Sequence, residues 1–139
     1  MDRKRILLID DEATFSRVLK LYLEETGRCL VRTAGSGREG LVAAREFRPD
    51  LILLDVIMPD MDGGDVAAAL SADASLQRVP VIFLTAVVSR EEATTRNGLI
   101  GGQLFIAKPV SAKEVLGYIE RCLAHPSGGI ERSQPVSGR

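Results

Sequence analysis

The sequence predicts an α/β fold: a doubly wound, five-stranded parallel sheet with helices on both faces. Three observations predict it. Short runs of large aliphatic residues recur along the chain without the polar alternation of a half-exposed strand, so both faces of each run must be covered. Stretches with helical spacing separate them. The connections between strand and helix are short, and right-handed crossovers then place helices on both faces of a parallel sheet.

The first run, residues 6–9, ends abruptly at Asp10, Asp11 and Glu12, which reads as a buried strand delivering acids to its rim. A helix comes next. Its apolar positions are Phe15, Val18, Leu19, Tyr22 and Leu23, and Gly27 is placed to terminate it in the left-handed region. Residues 29–34 form the second strand. Gly35, Ser36 and Gly37 open a helix with Leu41, Val42, Ala44 and Phe47 as apolar positions, closed by Pro49. The third run, 51–54, leads into Asp55 and a loop broken by Pro59 and Gly63. An alanine-rich helix covers 64–72, and Pro80 introduces a fourth strand over 81–84 that ends on Thr85. Residues 90–97 are weakly helical and polar, and Gly98, Gly101 and Gly102 loosen the chain beyond them, making this the most mobile expected element. The fifth strand, 104–107, delivers Lys108, with Pro109 directly after it. Ser111 and Glu114 form a capping box, and Val115, Leu116, Ile119, Cys122 and Leu123 give the last helix its buried stripe. Residues 1–125 are expected to form one domain. Residues 126–139, rich in Pro, Gly and Ser, are expected to be a disordered tail or a linker stub.

The length of 139 residues and a hydrophobic content of 45% suit one core. With 18 basic against 19 acidic residues, no electrostatic footprint for nucleic acid or an anionic membrane is present, and neither is expected as a direct partner. The charged start and the four-residue apolar run after it are too short for a signal-peptide core or a membrane span. Cys29 and Cys122, far apart and in apolar contexts, read as free thiols of the core rather than a disulfide or metal pair, which fits a cytoplasmic protein. A dinucleotide site is excluded because acids, not a G-x-G-x-x-G turn, come after the first strand.

Ligands of open α/β sheets bind outside the carboxyl ends of the strands. Taken alone, Asp55 at such an end is more often a helix cap or a solvated loop acid. The other strand ends change that reading. Asp10, Asp11, Asp55, Thr85 and Lys108 each stand at the end of a buried apolar run and so converge on one rim. Carboxylates that close repel by up to about 4 kcal/mol per pair at an effective dielectric near 20, which calls for a cation. Hard oxygen ligands, few in number, suit Mg²⁺. Such a metal leaves positions for phosphoryl oxygens, Lys108 adds a point charge and Thr85 a hydroxyl. The constellation is that of phosphoryl transfer with a carboxylate nucleophile, since no His, Ser or Cys stands there.

The segments LLIDDE, LLDVIMPDMDG, FLTA and IAKP, in this order and spacing, resemble the receiver domain of two-component response regulators, with a chemotaxis-regulator-like, flavodoxin-type fold. The resemblance covers about residues 4–123. It implies the strand order 2-1-3-4-5. It further implies that Asp55 is the phosphoacceptor, that Asp10, Asp11, Asp55 and the backbone carbonyl of Ile57 bind Mg²⁺, and that Lys108 contacts the phosphoryl group. Thr85 is then the switch hydroxyl, Phe105 the switch aromatic, and the Lys108–Pro109 peptide cis. Positions two residues after Asp55 and after Thr85 are placed to orient or exclude the hydrolytic water. Here they are Ile57 and Val87, neither able to hydrogen-bond through its side chain, so a long-lived phosphoryl group is expected.

By the same resemblance a histidine kinase or phosphotransfer protein supplies the phosphoryl group. The surface of the fourth helix, fifth strand and fifth helix then engages a partner or output domain, the chain being a monomer or a weak, phosphorylation-dependent dimer. The module catalyses only its own phosphorylation and dephosphorylation. Two other readings compete. A degenerate receiver would act as a phosphorylation-independent interaction module, against which stands the complete set of acids, Thr85 and Lys108. A phosphatase-like hydrolase with an Asp nucleophile generally needs a second acid two residues later, where this chain has Ile57. Gly101, Gly102, Gln103 and Leu104 depart from the small and acidic residues usual before the aromatic. Glu12 reads as an ordinary exposed acid, and the lone histidine, His125, as a helix-end or solvent residue.

Overall fold

The aliphatic runs form strands whose successive side chains enter two separate cores, one on each face of a single sheet. A computed structural model describes residues 3–85, 99–100, 103–108 and 110–124. The strands are β1 (Lys4–Ile9), β2 (Cys29–Ala34), β3 (Leu51–Asp55), β4 (Val81–Thr85), β5 (Leu99–Ile100) and β6 (Gln103–Ala107). The helices are α1 (Ala13–Glu25), α2 (Gly37–Phe47), α3 (Gly63–Ala72) and α4 (Ala112–Leu123). The sheet order is β2-β1-β3-β4-β6-β5, parallel except for β5. The five parallel strands thus have the predicted order, with β6 as the predicted fifth strand. Beyond it the sheet gains an unpredicted edge, where β5 pairs antiparallel with β6, Leu99 opposite Leu104 and Ile100 opposite Gln103. The predicted helix over 90–97, Val87, Pro109 with its expected cis peptide, His125 and the tail over 126–139 lie outside the described residues.

Ile6 and Leu8 of β1, Leu51 and Leu53 of β3, and Ile82 and Leu84 of β4 pack with Leu19 and Leu23 of α1 and Val115 and Ile119 of α4. Their neighbours Leu7, Ile9, Ile52, Leu54 and Phe83 pack on the opposite face with Ala43, Ala44, Val66 and Leu70 of α2 and α3. This is why the strands read as unbroken aliphatic runs. Full burial of a large aliphatic side chain contributes about 1.5–3 kcal/mol, and Leu7, Leu8, Leu53 and Leu54 sit in the two cores at 0% exposure. Two apolar positions predicted for helix stripes turn outward instead. Val18 is 56% exposed and Val42 50% exposed, while Ser16 and Ala43 of the same helices take buried positions. Both cysteines are free and buried. No helix among the described residues is long and apolar enough to cross a membrane.

Local chemistry sets the helix ends. Gly27 adopts φ 77 just past α1, as its position predicts, and Arg48 takes a left-handed φ of 52 before Pro49. The side chains of Ser36, Asp62 and Ser111 cap α2, α3 and α4, the last in a full capping box with Glu114. Helix α1 is the exception: Glu12 occupies its N-cap, but the Glu12 side chain makes no bond to the helix. The exposed edge of β2 is blunted by Glu24, whose carboxylate accepts the Val31 N–H at 2.9 Å.

Candidate functional site

Parallel strands that all run the same way bring their C-terminal residues to one rim, and the sheet register aligns them. Asp10 lies just past β1 and donates its N–H to the carbonyl of Ala34 in β2 (3.0 Å). Asp55 is the last residue of β3, opposite Leu84, and Thr85 ends β4 opposite Ala107. Lys108 donates its N–H to the Thr85 carbonyl at 2.9 Å, which seats it beside the end of β4. Carboxylate oxygens of Asp10, Asp11 and Asp55 all lie within 4.8 Å of one another. Asp10 and Asp55 are buried, Asp11 is exposed, and Thr85 is fully buried.

The acids open into a cavity of about 600 Å³ lined by Asp11, Glu12, Phe15, Asp55, Ile57, Lys108 and Val110. Its lining joins carboxylates and an ammonium to the apolar side chains of Phe15, Ile57 and Val110. Each carboxylate has a distinct role in the geometry. Asp10 is committed twice over: one oxygen accepts the Glu12 N–H at 2.9 Å and the other accepts from Lys108 Nζ at 2.7 Å. Among the described residues no side chain donates a hydrogen bond to the Asp55 carboxylate, whose nearest charged neighbours are Asp10, Asp11 and Lys108. Burial raises the Asp55 pKa to about 6, with further upward pressure from Asp10 and Asp11. The Lys108 charge and the Ile57 N–H only partly oppose this. Burial alone would pull Lys108 down, but hydrogen bonds to Asp10 and Glu12 outweigh it and its pKa is raised. Lys108 Nζ also sits 4.8 Å from the centre of the Phe15 ring.

The loop after Asp55 is held at both ends. At its base the Gly63 N–H donates to the Val56 carbonyl at 2.6 Å, and a Cβ on residue 63 would lie 2.8 Å from the Asp55 carbonyl oxygen, so only glycine fits. Farther out, Asp60 accepts the N–H groups of Gly37 and Arg38 at 3.0 and 3.1 Å, tying the loop to the start of α2. Those backbone hydrogen bonds hold its carboxyl below the usual aspartate value.

Of the residues the sequence singles out, Asp10, Asp11, Asp55, Ile57, Thr85 and Lys108 meet at this rim. Phe105 does not line the cavity. It is half-buried in the core on the α2 and α3 face, stacked on its cross-strand neighbour Phe83 at 4.9 Å and 19°. Three participants are not legible in the sequence as site residues. Glu12, which reads there as an ordinary exposed acid, accepts from Lys108 Nζ at 2.5 Å. Phe15, which reads as part of the core stripe of α1, lies beneath the same ammonium. Asp60 stands between Pro59 and Gly63 in a loop that must turn, but nothing local points to its partner, the start of a helix distant in sequence.

Comparison with known proteins agrees with this geometry. The model of the family described as "Response regulator receiver domain" matches residues 6–120. The DNA-binding response regulator MtrA of Mycobacterium tuberculosis is 37% identical over 118 residues, 84% of this chain but 49% of that protein. The chain thus spans about half the length of the curated relatives it matches first. The polar-differentiation response regulator DivK of Brucella anthropi is 33% identical over 121 residues, 86% of this chain and 96% of its own. Among solved structures, a CheY-like receiver domain protein from Methanospirillum hungatei superposes with TM-score 0.74 at 27% identity, covering 90% of this chain and 97% of that one. Vibrio cholerae CheY4 does so with TM-score 0.73 at 28% identity, covering 86% and 98%.

Proposed function

This chain belongs to the response regulator receiver family, and from that premise we propose that it accepts a phosphoryl group on Asp55 and relays it as a change of surface. Receiver domains are phosphoacceptor signalling modules rather than true enzymes. One observation carries the assignment to Asp55: of the buried acids of the rim it is the one whose carboxylate holds no side-chain donor among the described residues, while Asp10 is occupied by Lys108 and the Glu12 N–H. Asp55 is the available nucleophile. One of its oxygens attacks the phosphorus, the bond to the donor nitrogen breaks, and the donor histidine leaves with a proton. Ionised Asp55 is the attacking form, and with a pKa of about 6 it predominates at neutral pH. The Lys108 ammonium, close enough to lower the Asp55 pKa, supplies positive charge for the transferred group.

The donor set fits Mg²⁺: all ligands are oxygen, three carboxylates lie within reach of one ion, and burial, with Asp10 and Asp11 adding to it, penalises the ionised form of Asp55 that a cation would stabilise. Asp10, Asp11, Asp55 and the Ile57 carbonyl would hold it, and when bound it would neutralise charge on the phosphoryl oxygens. Thr85, at the rim beside Lys108, is the hydroxyl drawn to the phosphorylated aspartate, and Phe105 the aromatic whose packing on Phe83 responds. The upstream partner is a histidine kinase or phosphotransfer protein. The downstream partner is an output domain or separate protein engaging the surface around β6 and α4, with the chain a monomer or a weak, phosphorylation-dependent dimer. Residues 1–125 are the receiver domain in this reading, and the free, buried thiols suit a reducing cytoplasm.

Incubation with acetyl phosphate and Mg²⁺ is expected to add one phosphoryl group per chain, and chelation of Mg²⁺ to prevent it. A protein that stays unmodified with saturating acetyl phosphate and Mg²⁺ would instead be a degenerate receiver. Lifetime of the group is set by access of water. Ile57 is 59% exposed and lines the cavity beside Asp55, where its side chain can neither orient nor activate a water. Ile57→Asn, alone or with Val87→Glu, is expected to hydrolyse its phosphoryl group about ten-fold faster or more, on the scale of one well-placed hydrogen bond. Loss of radiolabel at the parent rate in both variants would remove these side chains as determinants of lifetime.

A further inference from the structure

The Lys108 ammonium is hydrogen-bonded by acids other than Asp55. Its ammonium is bonded to Asp10 and Glu12 and lies over Phe15, and it reaches Asp55 through its charge alone among the described residues. The Lys108 side chain is 12% exposed and that of Glu12 is 60% exposed, so a largely solvated glutamate of the cavity lining holds a nearly buried cation. Among the described residues nothing else engages the Glu12 side chain. It occupies the N-cap of α1 without capping it, and the Glu12 N–H is satisfied by Asp10. The glutamate therefore has no helix-capping duty and is directed at Lys108.

We propose that Glu12 is a positioning residue that parks the Lys108 ammonium between Asp10 and the Phe15 ring, in competition with the phosphoryl group on Asp55. This rests on the reading of Asp55 as phosphoacceptor. Each transfer event then requires the Lys108–Glu12 contact to break, and Glu12 tunes how readily phosphorylation captures the lysine. Because the glutamate is largely solvated, the contact is weak enough to be exchanged and strong enough to bias the lysine. The length of the side chain matters as well as its charge, since aspartate at position 12 is one methylene too short to hold the same hydrogen bond.

Two readouts test it. In metal-free, unphosphorylated protein with labelled lysine, the ε-methylene protons of Lys108, assigned with Lys108→Arg, are expected to be shifted upfield by the Phe15 ring. Glu12→Gln and Glu12→Asp are both expected to move that signal toward the position of a solvated lysine. In Mg²⁺ buffer the same variants are expected to bind beryllofluoride, a phosphoryl mimic, about two- to five-fold more tightly, the scale of one solvated ion pair. A Lys108 signal unmoved by Glu12→Gln overturns the parked geometry. Glu12→Asp behaving as the parent in both readouts overturns the role of reach. Parent affinity in both variants overturns the competition. If beryllofluoride binds neither parent nor variants, the phosphoacceptor reading fails, and the parked geometry stands or falls on the lysine signal alone.

Discussion

Asp55→Asn is expected to stabilise the metal-free protein at pH 7 by about 2–3 kcal/mol, the equivalent of moving the Asp55 pKa from its ordinary 3.8 to about 6. The folded pKa lies above the unfolded one, so ionised Asp55 costs the fold its full amount above pH 6. As the pH falls from 6 toward 4, the folded state takes up the proton first and the cost shrinks, vanishing once both states are protonated. The parent without metal is therefore expected to be more stable at pH 5 than at pH 7, and Asp55→Asn to lose most of that slope. Asp60 and Asp73 are lowered by their hydrogen bonds, so their contributions are intact above pH 4 and fall away only in stronger acid, outside this window. Urea melts in EDTA at the two pH values measure it. A parent no more stable at pH 5, together with an Asn variant no more stable than the parent at pH 7, would mean that burial beside Asp10 does not penalise the ionised Asp55 carboxylate.

Lys108→Met works in the opposite direction. Asp10 has a side-chain exposure of 0% and Lys108 is its ion-pair partner at 2.7 Å, so removing the ammonium leaves a buried carboxylate facing Asp55 and Asp11. Breaking a buried pair costs about 3–5 kcal/mol, and the partial exposure of Lys108 brings the expected loss to about 2–4 kcal/mol in EDTA. Mg²⁺ is expected to recover a larger share of stability in this variant than in the parent, because the ion supplies the charge that the lysine no longer does. Equal stability of variant and parent in EDTA would show that Asp10 does not depend on Lys108.

The contrast between these two residues explains what is legible in the sequence. Asp55 and Lys108 stand at the ends of aliphatic runs buried on both faces, and parallel strands of one sheet must end on one rim, so their convergence can be read from spacing alone. Gly27 and the Ser111–Glu114 box are readable for a similar reason, being local chemistry. The illegible part depends on where long side chains travel after the backbone has placed them. Glu12 and Phe15 meet Lys108 across most of the chain length, and Asp60 reaches the start of α2, contacts that no local pattern encodes. Val18 and Val42 mislead because apolar character marks a helix stripe only on average, and the small residues Ser16 and Ala43 take inward positions. The two-residue strand β5 is shorter than any period that could reveal it.

The most direct measurement is the position of the phosphoryl group itself. Protein treated with acetyl phosphate and Mg²⁺, reduced with borohydride to convert an acyl phosphate to homoserine, and digested for mass spectrometry is expected to show that conversion at residue 55 and at no other acid. Asp55→Asn treated in parallel is expected to show none. Conversion at Asp10 or Asp11, or undiminished phosphorylation of Asp55→Asn, would contradict the assignment of Asp55 as the phosphoacceptor.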